Sequence, residues 1–165
     1  MTYATVKTLN NQTTSFNAVE ATTKAIQQLT TDDQLGLLWT LYKNMGRSIT
    51  PAAPGAARLQ FAAGLLEQVQ GMSHPLQLQF MRDLVENNNT PETRAYGVLT
   101  NNTKLAFWYQ LAVLMEDGVV IPVPDYYQLS NAALRVFDDI SRLEFGQQIT
   151  VMRQAVVAMG VDPLA

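Results

Sequence analysis

The chain has 165 residues, of which 47% are apolar and only 15% charged, against roughly 25% charged in ordinary soluble domains. That length suits one domain with a substantial core, and a net charge of −3 with no basic run argues against nucleic acid as the main partner, since phosphate neutralisation needs clustered Lys and Arg. The absence of Cys excludes disulfides, thiolate metal sites and a cysteine nucleophile.

Residues 1–17 read as a polar arm without the apolar segment of a signal peptide, and no later stretch is long enough to span a membrane. A cytoplasmic chain is expected. A first helix is expected from Ala18 to Leu29. The next begins at Thr31-Asp32-Asp33-Gln34, a capping box whose two acids suit the positive end of the helix dipole. It runs to Met45 and stops at Gly46. Within it Leu35, Leu38, Trp39, Tyr42 and Met45 fall at i, i+3, i+4, i+7 and i+10, one apolar face.

RSITPAAPGAA follows as an ordered linker, with Pro54 placed to open a helix over about 55–70. Ser73 caps a helix to Glu86, closed by Asn87–Asn89, and Thr90-Pro91 starts a short helix through about Val98. Lys104–Gly118 then repeats the earlier offsets with Leu105, Trp108, Tyr109, Ala112 and Met115. VVIPVPDYY is extended, because each proline turns its predecessor away from the helical region. Ser130 caps a helix to about Ser141, and the last helix runs from about Phe145 to Met159, ending at Gly160. No stretch alternates with period two for long enough to make a sheet. The fold class is all-α, with eight or nine helices. TTDDQLGLLW and TNNTKLAFW echo one another, which suggests two similar four-helix halves, each contributing one Trp strip. Spacing alone leaves two readings of these strips open: ordinary core, or facing walls of a slot for a long, flat, apolar ligand.

Chemistry offers little beside that slot. His74 is the single histidine, and before Pro75 at a helix start it reads as a cap or surface residue. Gly55, Gly64 and Gly71 are too widely spaced for a phosphate loop. The acid pairs Asp32-Asp33, Glu116-Asp117 and Asp138-Asp139 are sequence neighbours that point to different sides of a helix, which suits dipole or solvated roles. No catalytic residue and no metal site are expected. Arg153, in the otherwise uncharged ITVMRQAVVAMG, either snorkels at the surface or docks a partner.

DQLGLLWTLYKNMGRSIT, PAAPGAARLQFA, KLAFWYQLAVLMEDGVVIPVPDYYQLS and FGQQITVMRQAVVAMGVD resemble, in order, the N-terminal domain of the orange carotenoid protein family. The resemblance covers the chain from about residue 18, so residues 18–165 are expected to form one carotenoid-binding domain, a stand-alone helical carotenoid protein of cyanobacterial photoprotection. It implies two four-helix subdomains that sandwich a keto-carotenoid such as canthaxanthin or echinenone. By motif, Leu35, Leu38, Trp39, Tyr42 and Ile49 would line the channel from the first half. Met81, Leu105, Trp108, Tyr109, Met115, Val123 and Tyr127 would line it from the second. Arg153 matches the family arginine that pairs with the C-terminal domain and docks on the phycobilisome, and Asn102 matches another inter-domain contact. Arg82 departs from the pattern, standing where the family carries a smaller residue. The function implied is singlet-oxygen quenching and carotenoid carriage, the alternative being antenna quenching through the Arg153 face. Expected partners are the carotenoid, a separate C-terminal-domain-like carrier, the phycobilisome at the thylakoid surface, or a second copy in a homodimer.

Overall fold

The computed structural model of the chain describes residues 17–45 and 59–164. The residues expected to form the polar arm, the linker after Met45 with Ile49 and Pro54, and the first turn of the helix expected over about 55–70 lie outside the described residues. Within them are eight helices and no strand. Helix α1 covers residues 17–27. It is followed by α2 (Thr31–Met45), α3 (Leu59–Gln70), α4 (His74–Val85), α5 (Pro91–Gly97), α6 (Asn101–Glu116), α7 (Asn131–Ser141) and α8 (Phe145–Val157).

Local chemistry sets the boundaries. Ser73, Thr90, Thr100 and Ser130 are N-caps whose side chains accept a backbone N–H in the first turn, satisfying donors that the helix itself leaves free. Because Thr100 is the cap, α6 begins at Asn101 rather than Lys104. His74 is exposed in the first turn of α4. The expected box at Thr31 is not the one formed. Thr30 Oγ1 accepts the Asp33 N–H at 3.3 Å, while the Gln34 amide turns back to the carbonyls of Gln27 and Leu29 at the end of α1. Gln34 thereby closes the preceding helix instead of opening its own.

The helices pack as two groups that are not sequential halves. Val19, Ile26, Leu37, Leu41, Val136, Ile140, Val151 and Met152 join α1, α2, α7 and α8 in one core. Ala62, Leu65, Val69, Phe80, Leu84, Tyr96, Phe107 and Leu111 join α3 through α6 in the other. The first four-helix group is thus made of the two ends of the chain, and the second is inserted between them. Each group supplies one Trp strip, from α2 and from α6.

Helix α6 explains how the groups meet. It is apolar on nearly all sides, the pattern of a helix enclosed by others, and it packs against α3 on one flank and α8 on the other. Phe107, fully buried, lies edge-on to Phe80, Tyr96 and Trp108 with centroids 6.3, 5.4 and 6.3 Å away. Truncating such a side chain to Ala costs about 3–5 kcal/mol. The C-terminal turn ties α8 back onto α4 and α5. Gly160, at φ 76°, donates its N–H to Leu84 O at 2.9 Å, and Asn87 Nδ2 reaches the carbonyls of Ala158 and Gly160 at 2.8 Å each. A Cβ on Gly160 would stand 2.7 Å from the Tyr96 ring, so the close approach needs glycine as much as the backbone angle does.

Met45 is a correction. Expected at the end of the α2 strip, it lies instead in the outer core with Leu37 and Leu41. Met45 stands four residues after Leu41 and eight after Leu37, so it continues the buried row of α2.

Candidate functional site

A cavity of about 330 Å³ lies between the two groups, at the lower end of the range for ligand sites, about 300–1,000 Å³. On the α2 side Leu35, Leu38, Trp39 and Tyr42 form its wall, and on the α6 side Leu105, Trp108, Tyr109 and Met115. Met81 of α4 and Val123 and Tyr127 of the segment after α6 complete the expected set. All the sequence-predicted lining residues that fall among the described ones are brought together. The remaining expected one, Ile49, lies outside them.

The two strips differ in burial. Leu35, Leu38, Trp39 and Tyr42 of α2 are half-buried, on a face apart from the buried Leu37 and Leu41. On α6 only Leu105 and Tyr109 of the strip are half-buried, while Trp108, Ala112 and Met115 are buried and Trp108 and Met115 belong to the core with Phe107 and Leu111. Sequence reasoning did not assign Leu78, Ile121, Pro122, Pro124, Tyr126, Met152 and Val156 to the wall. Ile121, Pro122, Pro124 and Tyr126 come from the extended segment after α6, where periodicity carries no signal. Met152 and Val156 could have been found only by knowing that α8 crosses α6.

Trp108, Tyr42 and Tyr127 of the wall have the polar ends of their rings occupied by the protein. Trp108 Nε1 donates to the Tyr96 hydroxyl at 3.0 Å, and that hydroxyl donates to Val156 O at 2.5 Å. Burial pushes the Tyr96 phenol up, against the pull of the Trp108 hydrogen bond. Tyr42 donates to Glu116 Oε2 at 3.1 Å, and burial together with this carboxylate raises its phenol to about 12. Tyr127 donates to Asp33 Oδ1 at 2.8 Å, and burial, then Asp33, raises it likewise to about 12. Around the mouth the rings of Tyr42 and Tyr109 meet edge to face at 5.6 Å, and Trp39 lies 5.9 Å from Tyr42. Among the described residues, none of the buried polar side-chain atoms left without a partner belongs to the wall.

Of the acids assigned to dipole and solvated roles, Asp117, Asp138 and Asp139 are exposed, whereas Asp33, Asp32 and Glu116 have specific partners elsewhere in the chain. Asp33 is buried at 6% exposure and accepts from Tyr127 and from the Ser130 N–H at 3.4 Å. Burial works against its charge, but hydrogen bonds from Ser130 and Tyr127 hold its carboxyl below the usual range. The neighbouring Asp32 forms a two-point ion pair with Arg82 of α4. Glu116 also lies 3.8 Å from Lys43.

Two positioning residues carried no sequence signal. Gly36 allows the Tyr127 ring to lie on α2, since a Cβ there would stand 2.8 Å from Tyr127 Cε1. Gln77 is buried at 1% exposure. Its amide nitrogen points at the carbonyls of Val69, Met72 and Val119, and its oxygen accepts the Ile121 N–H at 2.9 Å. It fixes the start of the extended segment that walls the cavity.

Asn102, in the first turn of α6, and Arg153 of α8 are adjacent. Arg153 Nη1 approaches Asn102 Oδ1 at 3.5 Å, and its Nε is buried without a partner. Among the described residues no cluster of three or more metal-ligating side chains occurs, and no helix is long and apolar enough to cross a membrane.

The family described as "Orange carotenoid protein, N-terminal" matches residues 11–162. An orange carotenoid-binding domain-containing protein of Nostoc sp. (strain PCC 7120) is 58% identical over 149 residues, 90% of this chain and 87% of that one. The orange carotenoid-binding protein of Limnospira maxima is 42% identical over 98% of this chain, which spans 51% of that protein. Among solved structures, the Anabaena (Nostoc) Orange Carotenoid Protein binding canthaxanthin superposes with a TM-score of 0.83 at 46% identity, covering 89% of this chain and 48% of that one. The Red Carotenoid Protein binding canthaxanthin, from the same organism, has a TM-score of 0.75 at 38% identity, with coverage of 86% and 97%. The chain therefore spans about half the length of the longer relatives and nearly the whole of the shorter one. Fold, matched span and identity agree: this chain belongs to the family of the orange carotenoid protein N-terminal domain.

Proposed function

We propose that the chain binds one elongated keto-carotenoid between its two helical groups and acts in cyanobacterial photoprotection as a constitutive singlet-oxygen quencher and carotenoid carrier. The observation that carries this reading is the outward turn of the wall's polar ring atoms. Trp108, Tyr42 and Tyr127 spend their N–H and O–H groups on Tyr96, Glu116 and Asp33, so they offer the cavity carbon faces. A polyene has no hydrogen bonds to give along its length. Its affinity comes from buried apolar area, at about 25 cal/mol per Å², and from dispersion with polarizable rings and thioethers. Leu35, Leu38, Trp39, Tyr42, Met81, Leu105, Trp108, Tyr109, Met115, Val123 and Tyr127 would hold the pigment. The bound pigment supplies low-lying excited states that take up energy from singlet oxygen and release it as heat. The chain's residues position it and shield it.

Residues 18–165 would form this one domain behind the arm at 1–17, in a cytoplasmic setting. Tyr126, at 85% exposure, stands at the cavity wall, and an end ring beside it would be partly uncovered. That supports transfer to or from a separate C-terminal-domain-like carrier, or cover by a second copy of this chain. Expression in a carotenoid-producing host should yield a coloured protein. Replacing both Trp39 and Trp108 by Ala should abolish the colour while circular dichroism reports an intact helical fold. Full pigment retention in that variant removes the cavity assignment.

A second reading is docking on the phycobilisome, favoured by the unpartnered Nε of Arg153 beside Asn102. Under it, Arg153→Leu abolishes quenching of phycobilisome fluorescence and leaves singlet-oxygen quenching untouched. A wild-type protein that quenches no phycobilisomes at any salt concentration excludes it.

A further inference from the structure

Two charged side chains stand in a wall otherwise made of aliphatic carbon, thioether and aromatic ring. They are Asp32 in the first turn of α2 and Arg82 in the last turn of α4. They face each other in a fork, with Arg82 Nε donating to Asp32 Oδ1 at 2.9 Å and Nη2 donating to Oδ2 at 3.0 Å. A guanidinium has five N–H donors in a rigid plane, and this pairing uses one edge of it. Nη1 makes no hydrogen bond to any of the described residues. Hydrogen bonding to Asp32 raises the guanidinium's pKa further, so the group is a permanent cation.

Position along the cavity gives this pair its meaning. The wall follows α2 from Asp32 to Tyr42, a rise of roughly 15 Å at 1.5 Å per residue. Arg82 therefore lies at one end of the slot, where an elongated ligand presents its terminal ring rather than its chain. A hydrocarbon ring placed there would cover a cation and return no acceptor, which is costly. A ring bearing a carbonyl would accept from the unused edge, and charge-assisted hydrogen bonds are the stronger class.

We propose that Arg82 selects for an oxygenated end ring, donating from its unused guanidinium edge to a ring carbonyl, with Asp32 as the positioning residue that orients the fork. The inference rests on the carotenoid reading above and deepens it: it assigns the preference for a keto pigment to a residue of this chain.

Titration of the pigment-free protein with canthaxanthin, which has a carbonyl on each ring, and with β-carotene, the same skeleton without oxygen, tests this. The wild type should prefer canthaxanthin by about tenfold or more, the span of one hydrogen bond to a charged group. Arg82→Met should bring the ratio of the two dissociation constants near one. Asp32→Asn, which loosens α2 from α4 but leaves the cation, should retain a preference for canthaxanthin. A pair that serves only to tie α2 to α4 predicts something else: both variants weaken both pigments alike and the wild-type ratio persists. That result overturns the assignment. Should Arg82→Met fail to fold, the carbonyl stretch of canthaxanthin bound to wild type decides by infrared difference: a downshift from its value in hexane supports the hydrogen bond, and no shift overturns it. Binding of both pigments with equal affinity defeats the Arg82 inference alone, whereas binding of neither defeats the carotenoid reading and this inference with it.

Discussion

The indole N–H of Trp108 donates to the hydroxyl of Tyr96 at 3.0 Å, so a cavity-wall ring is held from behind by a fully buried one. Tyr96 in turn donates to the Val156 carbonyl of α8. The cavity face of α6 is thereby locked to the helix that joins the two groups. The same arrangement recurs at Tyr127 and Tyr42, whose hydroxyls are anchored by Asp33 and Glu116.

Tyr96→Phe keeps the ring in the Phe107 cluster but strips Trp108 Nε1 and Val156 O of their partner. Leaving buried polar groups unsatisfied costs about 1–3 kcal/mol. Urea unfolding should show a loss of that size, together with a shift in the visible band of bound pigment. Unchanged stability and spectrum would falsify the network.

Gly36→Ala places a Cβ 2.8 Å from the Tyr127 ring and 3.0 Å from Leu129. The ring must move, at an expected overpacking cost of about 1–3 kcal/mol, and pigment affinity should fall with it. In a double-mutant cycle with Tyr127→Ala the two losses should be less than additive, because the clash disappears once the ring is gone. Strict additivity means that the two residues do not touch in solution.

The Asp33–Tyr127 anchor predicts two pH limits of opposite origin. Folded Asp33 holds its proton less tightly than the unfolded side chain, whose pKa is about 3.9. Its stabilisation is complete above the unfolded value and is lost as pH falls through the folded one. Tyr127 is the reverse: with a folded value of about 12 against about 10 unfolded, its contribution is complete below pH 10 and lost as pH rises towards 12. Urea midpoints measured across pH should fall at both extremes. Asp33→Asn should remove the Asp33 titration from the acid limb and also weaken the alkaline limb, and Tyr127→Phe should remove the alkaline limb and also weaken the acid one, because each group shifts the other.

A ligand that binds only the folded chain adds RT ln(1 + [L]/Kd), about 4 kcal/mol at a thousandfold excess over Kd. Pigment-loaded protein should therefore melt well above the pigment-free form, by several degrees. Equal melting temperatures would mean that the cavity is already as stable empty as filled, and that the bound pigment touches little of it.

Local signals made much of this protein legible before any tertiary contact was known. Ser73, Thr90 and Ser130 cap helices where expected, and the wall residues from Leu35 to Tyr42 and Leu105 to Met115 share faces as their spacing requires. Capping and amphipathicity act over three to seven residues, so one sequence window contains both partners. The tertiary structure alone decided the rest. Asp33 and Tyr127 are 94 residues apart, and Gln77 and Ile121 are 44 apart. Nothing in either window distinguishes a buried anchor from a solvated acid or amide. The grouping of α1 and α2 with α7 and α8 likewise follows from which apolar faces meet once α6 is enclosed. Periodicity says that a face must be covered, but it carries no information about which distant helix will cover it.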